Sequence, residues 1–188
     1  MKSLSKRLGS DPKYERWRWQ MFAVTWLGYA GFYLTRKSFS IAKTGMGEET
    51  EVGLLDTDMA WIDMGYLIAY AIGQFVWGIT ADKVGPRKVL LGGMLISILT
   101  GVAMGVSTLP LALGVFFFIQ GLCQSTGWAP LTKNVSNFFS QRERGTIMGM
   151  WCTNYAVGGV VASALAAWAA TQWGYQYAFF VPAGVLLC

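Results

Sequence analysis

The sequence predicts an all-α membrane protein, and three observations carry that prediction. Of 188 residues, 54% are hydrophobic and only 13% are charged, with positive mean hydropathy, too apolar a balance for an ordinary water-soluble domain. Apolar runs recur, separated by short polar connections, and each of the first five can be extended to about the 20 helical residues that a hydrocarbon core requires. The 23 glycines fit a packed bundle of membrane helices, where small residues allow close approach. Gly101 with Gly105, and Gly145 with Gly149, have the Gly-x-x-x-Gly spacing.

Residues 1–19 form a basic segment with Lys2, Lys6, Arg7, Lys13, Arg16 and Arg18 against Asp11 and Glu15. Trp17 and Trp19 mark its membrane interface. It does not read as a cleavable signal peptide, because the apolar run that follows is too long and lacks a small-residue cleavage pattern. Residues 20–188 are expected to hold six spans. The first runs to about Ala42 and leads into an acidic connection with Glu48, Glu49, Glu51 and Asp56. The second, Met59 to Ala81, carries Tyr66, Tyr70 and Gln74 at successive four-residue steps, a polar stripe expected to face other helices. The third, Val89 to Val106, is nearly uninterrupted apolar sequence.

The fourth span begins near Leu111 and contains Gln120, Gln124, Thr126, Pro130 and Lys133 before Phe138-Phe139. The fifth, about Thr146 to Ala170, has Asn154, Tyr155, Gly158 and Gly159 midway. The sixth starts at Tyr177 and reaches only Cys188, short of a full crossing, so the chain is expected to be the first part of a longer one. Cys123, Cys152 and Cys188 lie in apolar runs without metal-ligand spacing and are assigned to packing.

Charge sets the expected topology. Eleven of the fifteen Lys and Arg residues fall in the amino-terminal segment, the connection between spans two and three, and the connection between spans four and five. Lys43 alone lies on the other side. This asymmetry predicts a cytoplasmic amino terminus. Because the basic residues are distributed by loop and form no single face, nucleic acid is not an expected partner; the lipid bilayer is.

The stretch Tyr29 to Lys37 places Arg36 and Lys37 inside the first span. An arginine deep in a span costs about 2.5–3.5 kcal/mol on insertion scales, so it usually faces a polar cavity or a partner. Tyr29, Tyr33 and Arg36 share one helical face, which looks like half of an anion site. The alternative is that both cations snorkel to the interface and bind nothing. Lys37 points roughly 100° away from Arg36 around the helix, so an interfacial and a ligand role are equally compatible with its position. Lys133 falls near the end of the fourth span, where snorkelling is favoured over ligand binding. The sequence shows no nucleophile and base constellation, no metal cluster and no phosphate-cradling glycine loop, so neither an enzyme nor a cofactor is expected.

Gly78-Ile79-Thr80-Ala81-Asp82-Lys83-Val84-Gly85-Pro86-Arg87-Lys88 resembles the loop signature of the major facilitator superfamily, Gly-x-x-x-Asp-x-x-Gly-x-Arg-Lys. Gly78 is expected to permit close helix approach, Asp82 to pair with cations or cap a helix, and Arg87 and Lys88 to hold the loop inside. The resemblance implies a part in locking the outward-open state. A narrower resemblance covers nearly the whole chain. Tyr29 to Phe39, Gly127-Trp128-Ala129-Pro130 with Lys133 and Glu143-Arg144-Gly145, and Trp151 followed by Val157-Gly158-Gly159 are together similar to the amino-terminal half of the organophosphate:phosphate antiporter family.

That resemblance implies a six-helix bundle forming half of a twelve-helix transporter, in a bacterial inner membrane, with a carboxy-terminal six-helix half as its partner. It implies transport of a small phosphorylated metabolite, glycerol 3-phosphate or a sugar phosphate, in exchange for inorganic phosphate. Arg36 would bind the phosphate, with Tyr29, Tyr33 and Tyr70 lining the cavity. The chain departs from the family's pattern at Gln74, where a lysine is usual, and at Tyr155, where a histidine is usual. Both changes lose cationic capacity, although Gln74 can still hydrogen-bond a phosphate or a sugar hydroxyl. A membrane sensor of hexose phosphate, and a transporter of an unphosphorylated solute, are the competing readings.

Overall fold

The computed structural model describes residues 11–47 and 52–187. The basic residues Lys2, Lys6 and Arg7, the acidic residues Glu48, Glu49 and Glu51, and Cys188 lie outside the described residues. Among the described residues seven α-helices follow in order: α1 Pro12–Ala42, α2 Asp56–Val84, α3 Pro86–Val106, α4 Pro110–Gln124, α5 Trp128–Phe138, α6 Arg144–Trp173 and α7 Tyr177–Leu187. Asp56–Val84, Pro86–Val106, Pro110–Phe138 and Arg144–Trp173 are each long and apolar enough to cross a membrane. The chain is therefore a multi-pass membrane protein built from helices. Many large apolar side chains, among them Leu27, Phe75, Leu111 and Val160, are exposed, as lipid contact requires.

Helix ends follow local chemistry. α1 begins at Pro12, earlier than the apolar run suggests, because Asp11 caps it by accepting from the Lys13 amide at 2.9 Å. Pro12 occupies the first turn, where no N–H is needed, and Glu15 complements the helix dipole. Half of the segment expected to precede the membrane is thus the first turns of a 31-residue helix. A 3-10 turn, Lys43–Gly45, follows α1, and a lone parallel bridge joins Gly47 to Leu54. Gly85, with φ of 95°, ends α2 in a conformation that side chains other than glycine's rarely adopt, and Pro86 starts α3 at once.

The fourth span is a broken helix, not the continuous one expected. At Ser125–Gly127 the pattern tightens, with the Thr126 and Gly127 amides donating to the carbonyls of Cys123 and Gln124, both at 3.2 Å. The cause lies in Pro130, which has no N–H for the Thr126 carbonyl. The Leu122 carbonyl, bypassed by this tightening, accepts instead from Trp77 Nε1 at 2.7 Å and Ser125 Oγ at 2.6 Å. Gly73 of α2 and Gly93 of α3 let the break fit. A Cβ at Gly73 would stand 2.9 Å from the Leu122 carbonyl oxygen, and one at Gly93 2.6 Å from that of Cys123.

α1 packs along α6, α2 along α4, and α7 against α1, α3 and α6. Gly158 of α6 sits on Ala30 of α1, with 3.0 Å between its would-be Cβ and the Ala30 carbonyl oxygen. Gly105 meets the Phe180 ring on α7, as its spacing predicts. The other Gly-x-x-x-Gly pair does not behave so: a Cβ at Gly145 or Gly149 would have nothing within 4 Å, and neither would one at Gly78. Spacing specifies a helix face but not which way that face points, and these three are turned away from their neighbours.

The Pro12 end of α1, the α2–α3 connection and the α5–α6 connection meet at one end of the bundle. There Arg18 pairs with Glu15 at 2.8 Å and with Glu143 at 3.4 Å, while Lys133 donates to Asp82 at 2.5 Å. Lys133, expected only to snorkel, thus ties α5 to α2. Glu143 lies outside the spans, and its carboxyl is held below its ordinary 4.5 first by the Ser140 hydroxyl, then by the Ser140 amide, with Arg18 adding to both. A depressed folded value stabilises above the unfolded value and is lost as pH falls through the folded one. Glu143→Gln is therefore expected to lower the thermal midpoint at neutral pH, with the deficit against wild type closing as pH falls below about 4.5 in melts followed by circular dichroism.

Candidate functional site

Near the carboxy-terminal end of α1, α1 and α2 present an arginine to a set of tyrosine faces. The Arg36 guanidinium carbon lies 5.3 Å from the ring centre of Tyr33, 5.2 Å from Tyr66 and 5.0 Å from Tyr70. The negative faces of aromatic rings stabilise a cation without neutralising it. Among the described residues no carboxylate lies within ion-pair distance of Arg36. The guanidinium opens on a cleft of about 440 Å³, also lined by Lys37 and Asp63. An unpaired, half-buried guanidinium offers a planar fork of donors suited to an oxyanion.

The cage is fixed from behind. Tyr66 is buried, stacks on Phe117 at 4.4 Å, and donates to Gln124 Oε1 at 2.8 Å. Gln124 Nε2 donates in turn to Thr35 Oγ1 at 3.0 Å, so one buried amide sets α1, α2 and α4 in register beside Arg36. Tyr29 is 4% exposed and stands behind the cage, sharing a 3.2 Å hydrogen bond with the Tyr70 hydroxyl. Its ring packs against Trp128 and Trp151, both at 5.4 Å, and Trp151 Nε1 donates to Thr25 at 3.1 Å. The Gly127-Trp128-Ala129-Pro130 stretch thereby supports the cage. Gly127 allows it, since a Cβ there would come within 2.9 Å of both Tyr29 and Phe32.

Of the residues read from the sequence, Arg36, Tyr33 and Lys37 line the cleft, Tyr70 packs its ring on the guanidinium without lining the cleft, and Tyr29 stands behind them. Gln74 is half-buried one turn beyond Tyr70, and Tyr155 is 51% exposed on α6; neither lines the cleft. Gly159, one turn beyond Tyr155, lies against Tyr33 and Lys37. Gly78, Asp82, Gly85, Arg87 and Lys88 form a separate group at the charged end of the bundle. Sequence reasoning misses two residues of the site. Tyr66 stands in the polar stripe with no role that periodicity can assign, and Asp63, a carboxylate inside an apolar span, is itself a readable signal.

Comparison with known proteins agrees with this architecture. The chain is 32% identical over 179 residues to a probable hexose phosphate transport protein of Chlamydia trachomatis, matching 92% of this chain and 39% of the relative. It is 30% identical over 178 residues to the glycerol-3-phosphate transporter of Bacillus subtilis, again with 92% and 39% covered. Against the membrane sensor protein UhpC of Escherichia coli it is 29% identical over 189 residues, covering 95% and 42%. The chain spans about two fifths of the length of these curated relatives. The family model described as Major Facilitator Superfamily matches residues 25–188, and the chain belongs to that superfamily.

Proposed function

We propose that this chain forms the first six-helix bundle of a secondary transporter that exchanges a small phosphorylated metabolite, glycerol 3-phosphate or a sugar phosphate, for inorganic phosphate. The observation that carries the reading is the unpaired Arg36 guanidinium, held by three tyrosine faces at the wall of a cleft. Similarity to transporters named for hexose phosphate and glycerol 3-phosphate supports it. Arg36 anchors the phosphate, Tyr33, Tyr70 and Lys37 shape the pocket, and Tyr29 holds Tyr70 in place. Gln74 and Tyr155, which do not line the cleft, contribute to the substrate only if it extends beyond the phosphate-binding wall.

In this reading residues 1–19 lie on the cytoplasmic side of a bacterial inner membrane and residues 20–188 cross it six times. The shares of the relatives covered support a second bundle as partner. Rocking of the two about the midplane then exposes the site to each side in turn. The loop from Gly78 to Lys88 and the Lys133–Asp82 pair brace the cytoplasmic end. The test is phosphate counterflow in liposomes containing the complete protein. Wild type is expected to exchange phosphate saturably and Arg36→Ala to lose that exchange; unchanged exchange by Arg36→Ala would remove the anchor.

A second reading, a membrane sensor of hexose phosphate, is favoured by the similarity to UhpC. It predicts saturable ligand binding by the complete protein without counterflow.

A further inference from the structure

We propose that Asp63 is a built-in competitor for Arg36 and that Lys43 is the positioning residue that keeps the two apart. The inference rests on Arg36 as the anion anchor of the proposed function. Arg36, Ser40 and Lys43 stand at i, i+4 and i+7 along one face of α1 and the turn that continues it. Asp63, Tyr66 and Tyr70 stand at i, i+3 and i+7 along one face of α2. The two stripes run antiparallel and meet. Lys43 reaches Asp63 at one end, and Arg36 reaches Tyr66 and Tyr70 at the other.

Asp63 lines the same cleft as Arg36 and is the only carboxylate among its lining residues. A carboxylate that swings to a guanidinium across a shared cleft can form a two-pronged, charge-assisted pair. Such a pair here would fill the anion site from within. It does not form, because Lys43 Nζ donates to Asp63 Oδ2. Lys37 lines the same cleft but does not pair with Asp63, and its Cε lies 3.9 Å from where a Cβ on Gly159 of α6 would stand.

Lys43 is well placed to hold the carboxylate. Its ammonium sits 5.1 Å from the ring centre of Phe39, which is fully buried, and Phe39 packs on Phe117 at 4.8 Å. Phe117 is the ring on which Tyr66 stacks, so the holder of Asp63 and the wall of the Arg36 cage rest on one aromatic column. The pair itself is partly open to the cleft, with side chains 23% and 48% exposed. Among the described residues no other cation pairs with Asp63, and a rise of about 4.5 Å along α2 separates its level from that of Tyr66.

The test uses the complete protein in detergent as wild type, Lys43→Ala, Asp63→Asn and the double variant, with thermal melts to establish that each is folded. Two quantities are read: the Kd for inorganic phosphate by calorimetric titration, and the rate at which phenylglyoxal modifies Arg36, followed by peptide mass spectrometry. Lys43→Ala is expected to raise the phosphate Kd about tenfold and to slow Arg36 modification, as capture by Asp63 requires. Asp63→Asn, which removes the competing carboxylate from the cleft, is expected to bind phosphate at least as tightly as wild type and to leave Arg36 at least as reactive, and the double variant loses the Lys43→Ala defect in both readouts. If the double variant stays as weak as Lys43→Ala, Lys43 attracts the anion directly and the proposal falls. Equal losses in all three variants reduce the pair to a helix staple and also overturn it. If wild type binds no phosphate, the transport reading fails, while Arg36 modification still decides this inference: protection in Lys43→Ala relieved in the double variant supports it, and unchanged rates refute it.

Discussion

Arg36→Lys is expected to weaken phosphate binding by about 10- to 100-fold although the charge is conserved, because the site is built for a guanidinium. Three ring faces lie 5.0–5.3 Å from the guanidinium carbon, a distance suited to a broad, weakly hydrated, planar cation. A lysine ammonium is compact, strongly hydrated and a point charge; it can meet one oxyanion oxygen well but cannot present the paired donors of a fork. The loss is expected in Kd, measured by titrating inorganic phosphate onto the complete protein, with the thermal midpoint little changed. Equal affinities for the two proteins would show that the cage recognises charge alone.

Gly121→Val is expected to have the largest effect on stability. A Cβ at Gly121 would stand 2.6 Å from the Tyr66 carbonyl oxygen and 3.2 Å from the Ala69 Cβ, so the first new atom already strikes backbone. Overpacking of this kind costs about 1–3 kcal/mol and often more where backbone must shift. Because α4 would have to leave α2, the variant also displaces Tyr66 from Gln124 and so loosens the wall of the Arg36 cage. A lowered thermal midpoint together with a raised phosphate Kd is the expected pair of results. By contrast Gly78→Ala, with open space at its Cβ, is expected to leave both unchanged.

Much of this is legible in the sequence because it is local. Apolar runs and loop charges mark the spans, and the i, i+4, i+7 arrangement of Tyr29, Tyr33 and Arg36 marks the stripe of α1 that brings Tyr33 and Arg36 to the cleft, with Tyr29 buried behind them. Pro130 signals the irregularity in the fourth span, although its place, at Ser125–Gly127, depends on Trp77 and Ser125 taking up the Leu122 carbonyl. What one helix cannot reveal is where its neighbour lies. A Cβ at Gly78, Gly145 or Gly149 would touch nothing within 4 Å, while Gly73, Gly93 and Gly121 carry the closest approaches to a neighbouring helix's backbone without a Gly-x-x-x-Gly signature. Tyr66 acquires its place through Gln124, 58 residues away, a link that periodicity does not contain. Asp63 is different: a carboxylate seven residues inside an apolar helix is visible, and its relation to Lys43 follows once α1 and α2 are set antiparallel.

The central claim is that the Arg36 cleft holds a phosphate group. Calorimetric titration of inorganic phosphate onto the complete protein, wild type against Arg36→Ala, tests it most directly. Wild type is expected to bind saturably and the folded variant not measurably. Equal affinity in the two proteins would contradict it.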